Sequence, residues 1–185
     1  ELYAYYRARV LEGTVGIDSG CFIRDIVKSI AKPGVATAET WPYNIDKYTV
    51  NPTDEANASA ENHRFSVYRR IDGLQGMLTA MAQGYPVIFG FMVRQSFMNI
   101  TGDGIMPMPG LLEKIIGGHA VKGSGYINIT AKTTFGICGI FRRQSGKYII
   151  VKNSWGPEWG DGGYFYMPVE FVNAMNVQDI WMVES

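Results

Sequence analysis

The sequence predicts an α+β fold, with helices gathered in the first third and antiparallel strands in the remainder. Three observations lead there. Residues 1–31 carry two runs of helical period. From Pro86 onward, short apolar runs rich in β-branched and aromatic residues are separated by Gly- and Pro-rich turns: PVIFGFMV, HAVKGSGY, YIIVK and YFYM. The chain of 185 residues is 46% hydrophobic and 18% charged, which is a composition for burying a sizeable core.

In chain order, Leu2, Tyr5, Tyr6 and Val10 fall on one helical face, with Arg7 and Arg9 on others. No capping residue precedes this helix. The expectation is therefore that further sequence lies upstream of Glu1. A second helix is expected with Asp18 or Ser19 as its cap and Phe22, Ile23, Ile26, Val27, Ile30 and Ala31 as an apolar stripe, stopped by Pro33-Gly34. Trp41-Pro42-Tyr43 reads as an aromatic anchor. Residues 51–62 are polar and read as a solvated crossing or a short helix. Residues 65–70 read as a strand, and Asp72-Gly73-Leu74-Gln75 as a capping box for a helix through Gln83 with Leu74, Leu78 and Met81 inward. Ser96–Glu113 is expected to be a long loop. Strands follow at 119–126, 148–152 and 164–167, then a short helix near 168–175 and a closing strand at 180–183. This divides a single domain, residues 1–185, into a helical part (1–60) and a mainly strand part (61–185).

Charge and composition exclude several functions. With 17 basic and 17 acidic residues the net charge is zero, so there is no electrostatic footprint for nucleic acid or a membrane surface. No apolar run is long enough to span a bilayer. Two cysteines, Cys21 and Cys138, are too few for a disulfide framework and read as separate thiols, a single bridge being the alternative. Two histidines and two distant cysteines do not make a zinc spacing.

The chemistry concentrates in two motifs. Asn153 ends the buried run Tyr148–Val151 and is followed by Ser154 and Trp155. A polar amide at the end of a buried strand needs a partner. The partner expected is His119, in Gly117-Gly118-His119-Ala120-Val121, since an amide oxygen that orients an imidazole recurs in nucleophilic hydrolases. The two side chains are accordingly expected within hydrogen-bond reach. His63 lies in the polar crossing and reads as a surface residue.

At these residues the sequence resembles the papain-like cysteine peptidases. The resemblance rests on Gly117–Val121, on Lys152-Asn153-Ser154-Trp155-Gly156 and on Trp159-Gly160-Asp161-Gly162-Gly163-Tyr164. Asp18–Asp25, Trp41-Pro42-Tyr43, Gly102-Asp103-Gly104, Met167-Pro168 and Asp179-Ile180-Trp181 look like segments of its bacterial and viral-type branch. It implies a two-lobe fold, a helical lobe followed by an antiparallel β-barrel-like lobe. It implies His119 as the base, Asn153 as the group that holds the imidazole, and Trp155 as the shield over that hydrogen bond. Gly118, Ser19, Gly20 and Cys21 become candidate contacts to a peptide or protein substrate. No cofactor and no metal are implied.

The family's nucleophile lies in a Cys-Gly-Ser-Cys-Trp type stretch preceded by an oxyanion-hole Gln, and neither occurs here. Cys21 has the right order relative to His119 and Asn153 and sits at a helix N-terminus, which lowers a thiol pKa. Against it, the family places His and Asn roughly 130–150 residues after the Cys, farther than Cys21 is from His119. The reading is thus a cysteine peptidase whose nucleophile comes from sequence upstream of Glu1, with Cys21 as a wall residue of the pocket or a core thiol and Cys138 as structural. The alternatives are an inactive papain-like domain serving as a binding or structural module, for instance in a virus particle or other multi-protein assembly, and a transferase or amidase of the same geometry.

Overall fold

The structure is a computed structural model and describes residues 1–110, 112–130, 133–134, 142–143 and 145–184. Cys138 lies outside the described residues. The chain forms two compact units: Glu1–Arg70 with Val183–Ser185, and Ile71–Met182.

The first unit is built on helices α1 (Leu2–Glu12), α2 (Ile23–Ala31) and α3 (Asp54–Ala60). Its core is small: Leu2, Tyr3, Ala36, Trp41, Ala56 and Ala60. The polar stretch 51–62 is a helix because Thr53 caps it, its hydroxyl accepting the Ala56 N–H at 3.2 Å. Ala56 and Ala60, four apart, then present one small face that packs fully inside. Of the aromatic anchor, only Trp41 is buried; Tyr43 is exposed.

Two expectations about this unit are overturned. The inward face of α1 is Leu2, Tyr3, Ala4, Ala8 and Arg9, while Val10 is exposed. Arg9 goes inside because backbone carbonyls accept from its Nη1 and Nη2, while its Nε has no partner among the described residues. The N-cap position of α2 is Phe22, with no side-chain cap, so neither Asp18 nor Ser19 caps the helix. Phe22 itself is exposed, and Val27 carries the buried part of the stripe. In the first turn of α2, Asp25 is buried beside Arg24 at 3.1 Å and Lys28 at 3.6 Å. The Arg24 hydrogen bonds hold its carboxyl below the usual range. A short strand, β1 (Val67–Arg70), closes the unit, and the Ser66 N–H before it donates to the Glu184 carbonyl at 2.9 Å.

The second unit begins with α4 (Gly73–Ala82). Asp72 is its N-cap but makes no side-chain cap bond; Met77, Ala80 and Met81 are buried, and Leu74 and Leu78, partly buried, pack against the same core. Strands β2 (Val87–Arg94) and β3 (Ile115–Ile129) follow. The two-residue strands β4 (Thr133–Thr134) and β5 (Arg142–Arg143) pair separately. Then come β6 (Gly146–Lys152), β7 (Tyr164–Pro168), the single helical turn α5 (Val169–Phe171) and β8 (Val177–Glu184).

Within this unit the sheet order is β8-β2-β3-β6-β7, all antiparallel. It is an open sheet and not a barrel: among the described residues β7 and β8 do not pair with each other. The long strand β3 changes partner along its length. It pairs with β2 from Ile115 to Gly123 and with β6 from Lys122 to Ile129, with a register shift between Gly123 and Gly125. One face packs a core that includes Met77, Phe89, Phe97, Ile149, Phe165 and Phe171. Each buried phenylalanine contributes about 1.5–3 kcal/mol by burial alone.

Candidate active site

The partner change of β3 sets up the site. Lys122 pairs with Lys152, and that is the last pair between β3 and β6. Beyond it β6 ends and Asn153 begins the turn, while β3 runs on toward its N-terminal end through Val121 to His119. Side chains two apart share a face, so His119 and the buried Val121 point the same way. The next β6-side position, Asn153, therefore faces the imidazole. His119 Nε2 lies 2.8 Å from Asn153 Oδ1.

The direction of that hydrogen bond follows from a second one. The Ser154 backbone N–H donates to the same Oδ1 at 2.8 Å. A backbone N–H can only donate, so this atom is the amide oxygen and not the nitrogen. Nε2 must then carry the proton and donate. In the neutral imidazole, Nδ1 is left with the lone pair and is the basic atom. The opposite end of the amide, Asn153 Nδ2, is buried with no partner among the described residues, which costs about 1–3 kcal/mol. The residue as a whole is only 6% exposed.

Trp155 covers the imidazole. Its ring centroid lies 5.2 Å from that of His119 with 31° between the planes. At 40% exposure it shields one side and leaves its own outer face to solvent. Beneath it is an aromatic cluster that the sequence reading did not assemble. Phe91, opposite His119 in the β2–β3 register, is 5.9 Å from the imidazole. Phe97 stands edge-on to Trp155 at 5.5 Å, and Trp159 to Trp155 at 5.1 Å. Edge-to-face pairs of this kind fix ring orientation as well as burying area. Trp159 was visible as part of the Trp-Gly motif. Phe97 was not, because it lies in a segment whose sequence shows no period.

Two devices hold these rings. The turn after Asn153 is closed by Asn153 N–H to Gly163 O at 2.9 Å and Gly163 N–H to Trp159 O at 2.8 Å. Segment 95–113 begins with a 3₁₀ turn, Gln95–Asn99, that carries Phe97. It is pinned where the Glu113 carboxylate accepts the Ser96 and Gly110 N–H groups. These bonds, that from Ser96 foremost, hold the Glu113 carboxyl below its usual range.

The remaining candidates divide by unit. Gly118 precedes His119 in the second unit, exposed, with nothing within 4 Å of where a Cβ would stand. Ser19, Gly20 and Cys21 belong to the first unit. Ser19 and Gly20 are exposed and Cys21 is half-buried. Burial, and next the Glu12 carboxylate, push the Cys21 thiol from 9.0 up to about 11. Its thiolate fraction at neutral pH is then about 100-fold below that of an ordinary thiol, which argues against Cys21 as a nucleophile. The sign of the linked stability follows. Below pH 9 both folded and unfolded thiols are protonated and the group's contribution is fully present. As pH rises toward 11 the unfolded thiol ionises first, and the contribution is lost. A Cys21→Ala variant is expected to lose less stability than the parent across that window in urea unfolding at stepped pH. Parallel curves would remove the buried-thiol account. His63 is exposed, its Nδ1 3.0 Å from the Ser59 carbonyl.

An α+β fold in which an imidazole on β3 is hydrogen-bonded to a buried amide and covered by tryptophan defines a structural class. The comparisons identify the family within it. The model for the papain family of cysteine proteases matches residues 12–183, and the chain belongs to that family. It is 36% identical, over its whole length, to an uncharacterised peptidase C1-like protein of Acanthamoeba polyphaga mimivirus, covering 58% of that protein. It is 28% identical to a cathepsin B-like protein of Giardia intestinalis, with 87% of this chain and 50% of that protein aligned. Among solved structures it resembles xylellain, a cysteine protease from Xylella fastidiosa, with a TM-score of 0.81 and 29% identity over 100% of this chain and 69% of that one. The chain thus spans little more than half the length of these curated relatives.

Proposed function

We propose that the protein containing this chain is a cysteine endopeptidase whose nucleophilic cysteine is supplied by residues preceding Glu1. The observation that carries the reading is the His119 Nε2–Asn153 Oδ1 hydrogen bond, because it leaves Nδ1 as a base of fixed direction. In the reaction, Nδ1 takes the thiol proton, giving a thiolate–imidazolium pair. The thiolate attacks the scissile carbonyl carbon, forming a C–S bond. The imidazolium returns the proton to the leaving amine as the C–N bond breaks. Water, deprotonated by Nδ1, then attacks the thioester carbonyl. The C–S bond breaks and the acid product and thiol are regenerated. Asn153 keeps Nε2 protonated and the ring in place throughout. Trp155 lowers the local dielectric around that bond, which strengthens it. Gly118, Ser19, Gly20 and Cys21 are the peptide contacts in this reading, the glycines because a peptide backbone can approach them closely.

The test is a thiol-directed epoxide or iodoacetamide probe on the complete protein, followed by peptide mapping and assay on peptide substrates. One labelled cysteine upstream of Glu1, with hydrolysis, is expected. Labelling at no upstream cysteine, with no hydrolysis, would replace the reading with a binding module.

A further inference from the structure

The stretch between β2 and β3 leaves the sheet, crosses to the edge strand β7 and returns. It departs at the register shift after Val93, where Arg94 still pairs with Ile115. Its middle is docked on β7: the Met106 N–H donates to the Tyr166 carbonyl at 3.1 Å, and the Tyr166 N–H to the Gly104 carbonyl at 2.8 Å. Phe97, Ile100 and Met106 are buried in the core of the second unit. The two bonds to β7 hold the middle of the stretch. They do not hold its ends, and Phe97 sits near one of them.

A single residue closes both ends. Glu113 Oε1 accepts the N–H of Ser96, the neighbour of Phe97, and Oε2 accepts that of Gly110 at 3.0 Å. The Glu113 N–H donates to the Gly110 carbonyl at 3.1 Å, and the Glu113 carbonyl accepts from Arg94 Nη1 at 2.5 Å. The demand on the side chain is narrow. Two backbone N–H groups arrive from different parts of the chain, so the side chain must offer two acceptors and no donor. A carboxylate does so; glutamine would offer one oxygen. Hydrogen bonds to an ionised acceptor are also the stronger kind.

What the clasp joins bears on the site. On one side it holds Ser96-Phe97; on the other, Glu113 leads directly into β3 and His119. Phe97 stands 5.1 Å from Phe91, 5.4 Å from Trp159, 5.5 Å from Trp155 and 6.4 Å from the His119 imidazole, ring centre to ring centre. The outer face of Trp155 is open to solvent, so its tilt over the imidazole is set from beneath, by Phe97 and Trp159. A shift of Phe97 frees Trp155 to tilt, and water then competes for the His119–Asn153 bond.

We propose that Glu113 is a positioning residue for the imidazole: by clasping the turn that carries Phe97 to the start of β3, it sets Trp155 over the His119–Asn153 hydrogen bond. This rests on the reading of His119 as the base given above. Acting through Phe97 and Trp155, Glu113 governs formation of the thiolate–imidazolium pair and not peptide binding.

The experiment uses the complete protein with Glu113→Ala, Glu113→Gln, Phe97→Leu and the Glu113→Ala, Phe97→Leu double variant. It reads cleavage of a short chromogenic peptide, the rate of labelling by iodoacetamide, which carries no peptide, and solvent exchange of the His119 Nε2 proton by NMR. Glu113→Ala is expected to lower kcat and the labelling rate together by about 10-fold, the scale of one hydrogen bond expressed in a rate. KM is expected to stay within about twofold, and Nε2 proton exchange to quicken. Glu113→Gln keeps one acceptor and is expected to lose only about 3-fold. Phe97→Leu is expected to reproduce the Glu113→Ala loss. Adding Glu113→Ala to it is expected to cost less than about twofold more, since both act through one ring. Unchanged kcat and unchanged proton exchange in Glu113→Ala overturn the positioning role alone, as do losses that simply add in the double variant. A parent protein that neither labels nor cleaves overturns the peptidase reading, and proton exchange then decides the positioning role by itself.

Discussion

His119→Ala in the complete protein is expected to lower kcat/KM for peptide hydrolysis by about three orders of magnitude or more, with a change in thermal midpoint of only a few degrees. The two halves of this expectation have separate origins. The activity term is large because the His119 imidazole is the one held by Asn153, while His63, the other histidine of this chain, is exposed and bonded to a local carbonyl. The stability term is small because Asn153 Oδ1 keeps its Ser154 N–H partner when the imidazole is removed. Loss of the ring therefore leaves no orphaned buried oxygen, and the space vacated lies under a partly exposed tryptophan. Asn153→Ala is expected to fall short of this, at about 100-fold, since the base survives and only its orientation and tautomer are released. Comparable hydrolysis by His119→Ala and the parent would end the assignment of His119 as base.

Gly34→Ala is expected to destabilise the protein by about 3–5 kcal/mol, measured by urea unfolding, the largest effect of any single methyl group added here. Part of this is backbone strain: Gly34 has φ of +93°, where an L side chain costs about 1–2 kcal/mol. The larger part is contact. A Cβ would stand 1.8 Å from the Ala60 carbonyl oxygen and 2.7 Å from its carbon. These are backbone atoms at the end of α3, so no rotamer change relieves the overlap. Gly34→Asn serves as the control. Asparagine tolerates positive φ but still carries the Cβ, so it is expected to be nearly as destabilising. A loss of only about 1 kcal/mol in both would show that α3 moves aside freely.

Gly34 also illustrates how far the sequence could be read. Pro33-Gly34 was legible as a helix stop, since that signal depends only on the conformations available to the two residues. That the glycine is also a seat for α3 was not legible, because Ala60 is remote in sequence and nothing local couples the two. The strands behave alike. PVIFGFMV, YIIVK and YFYM announce β2, β6 and β7 because burial and β-propensity act within a few residues. Their edges, and the length of β3, depended on pairing. The side-chain caps expected from Asp18, Ser19 and Asp72 did not form, because those groups had better partners or none in reach. Asp18 was taken by the Tyr5 hydroxyl.

Arg9 was misread for the same reason that Phe97 was missed. An arginine is expected outside because its charge is expensive to bury. Only the folded chain brings the carbonyls of Val15, Ile17 and Tyr48 and the rings of Tyr5 and Tyr48 around the guanidinium, and together they offset the cost of burial. Phe97 sits in a segment without period and acquires its place under Trp155 from the Glu113 tether.

The sequence by itself determined the α+β class, the family, and the His119–Asn153–Trp155 set, since these rest on local propensity and on motifs whose chemistry demands particular residues at particular intervals. Tertiary structure alone decided which amide atom faces the imidazole, which imidazole nitrogen is left with the lone pair, that the sheet stays open, and that burial pushes the Cys21 thiol up. Each of those depends on distances between residues far apart in the chain, and such distances exist only once β3 has exchanged one partner strand for another and α1 has closed on the loop that follows it.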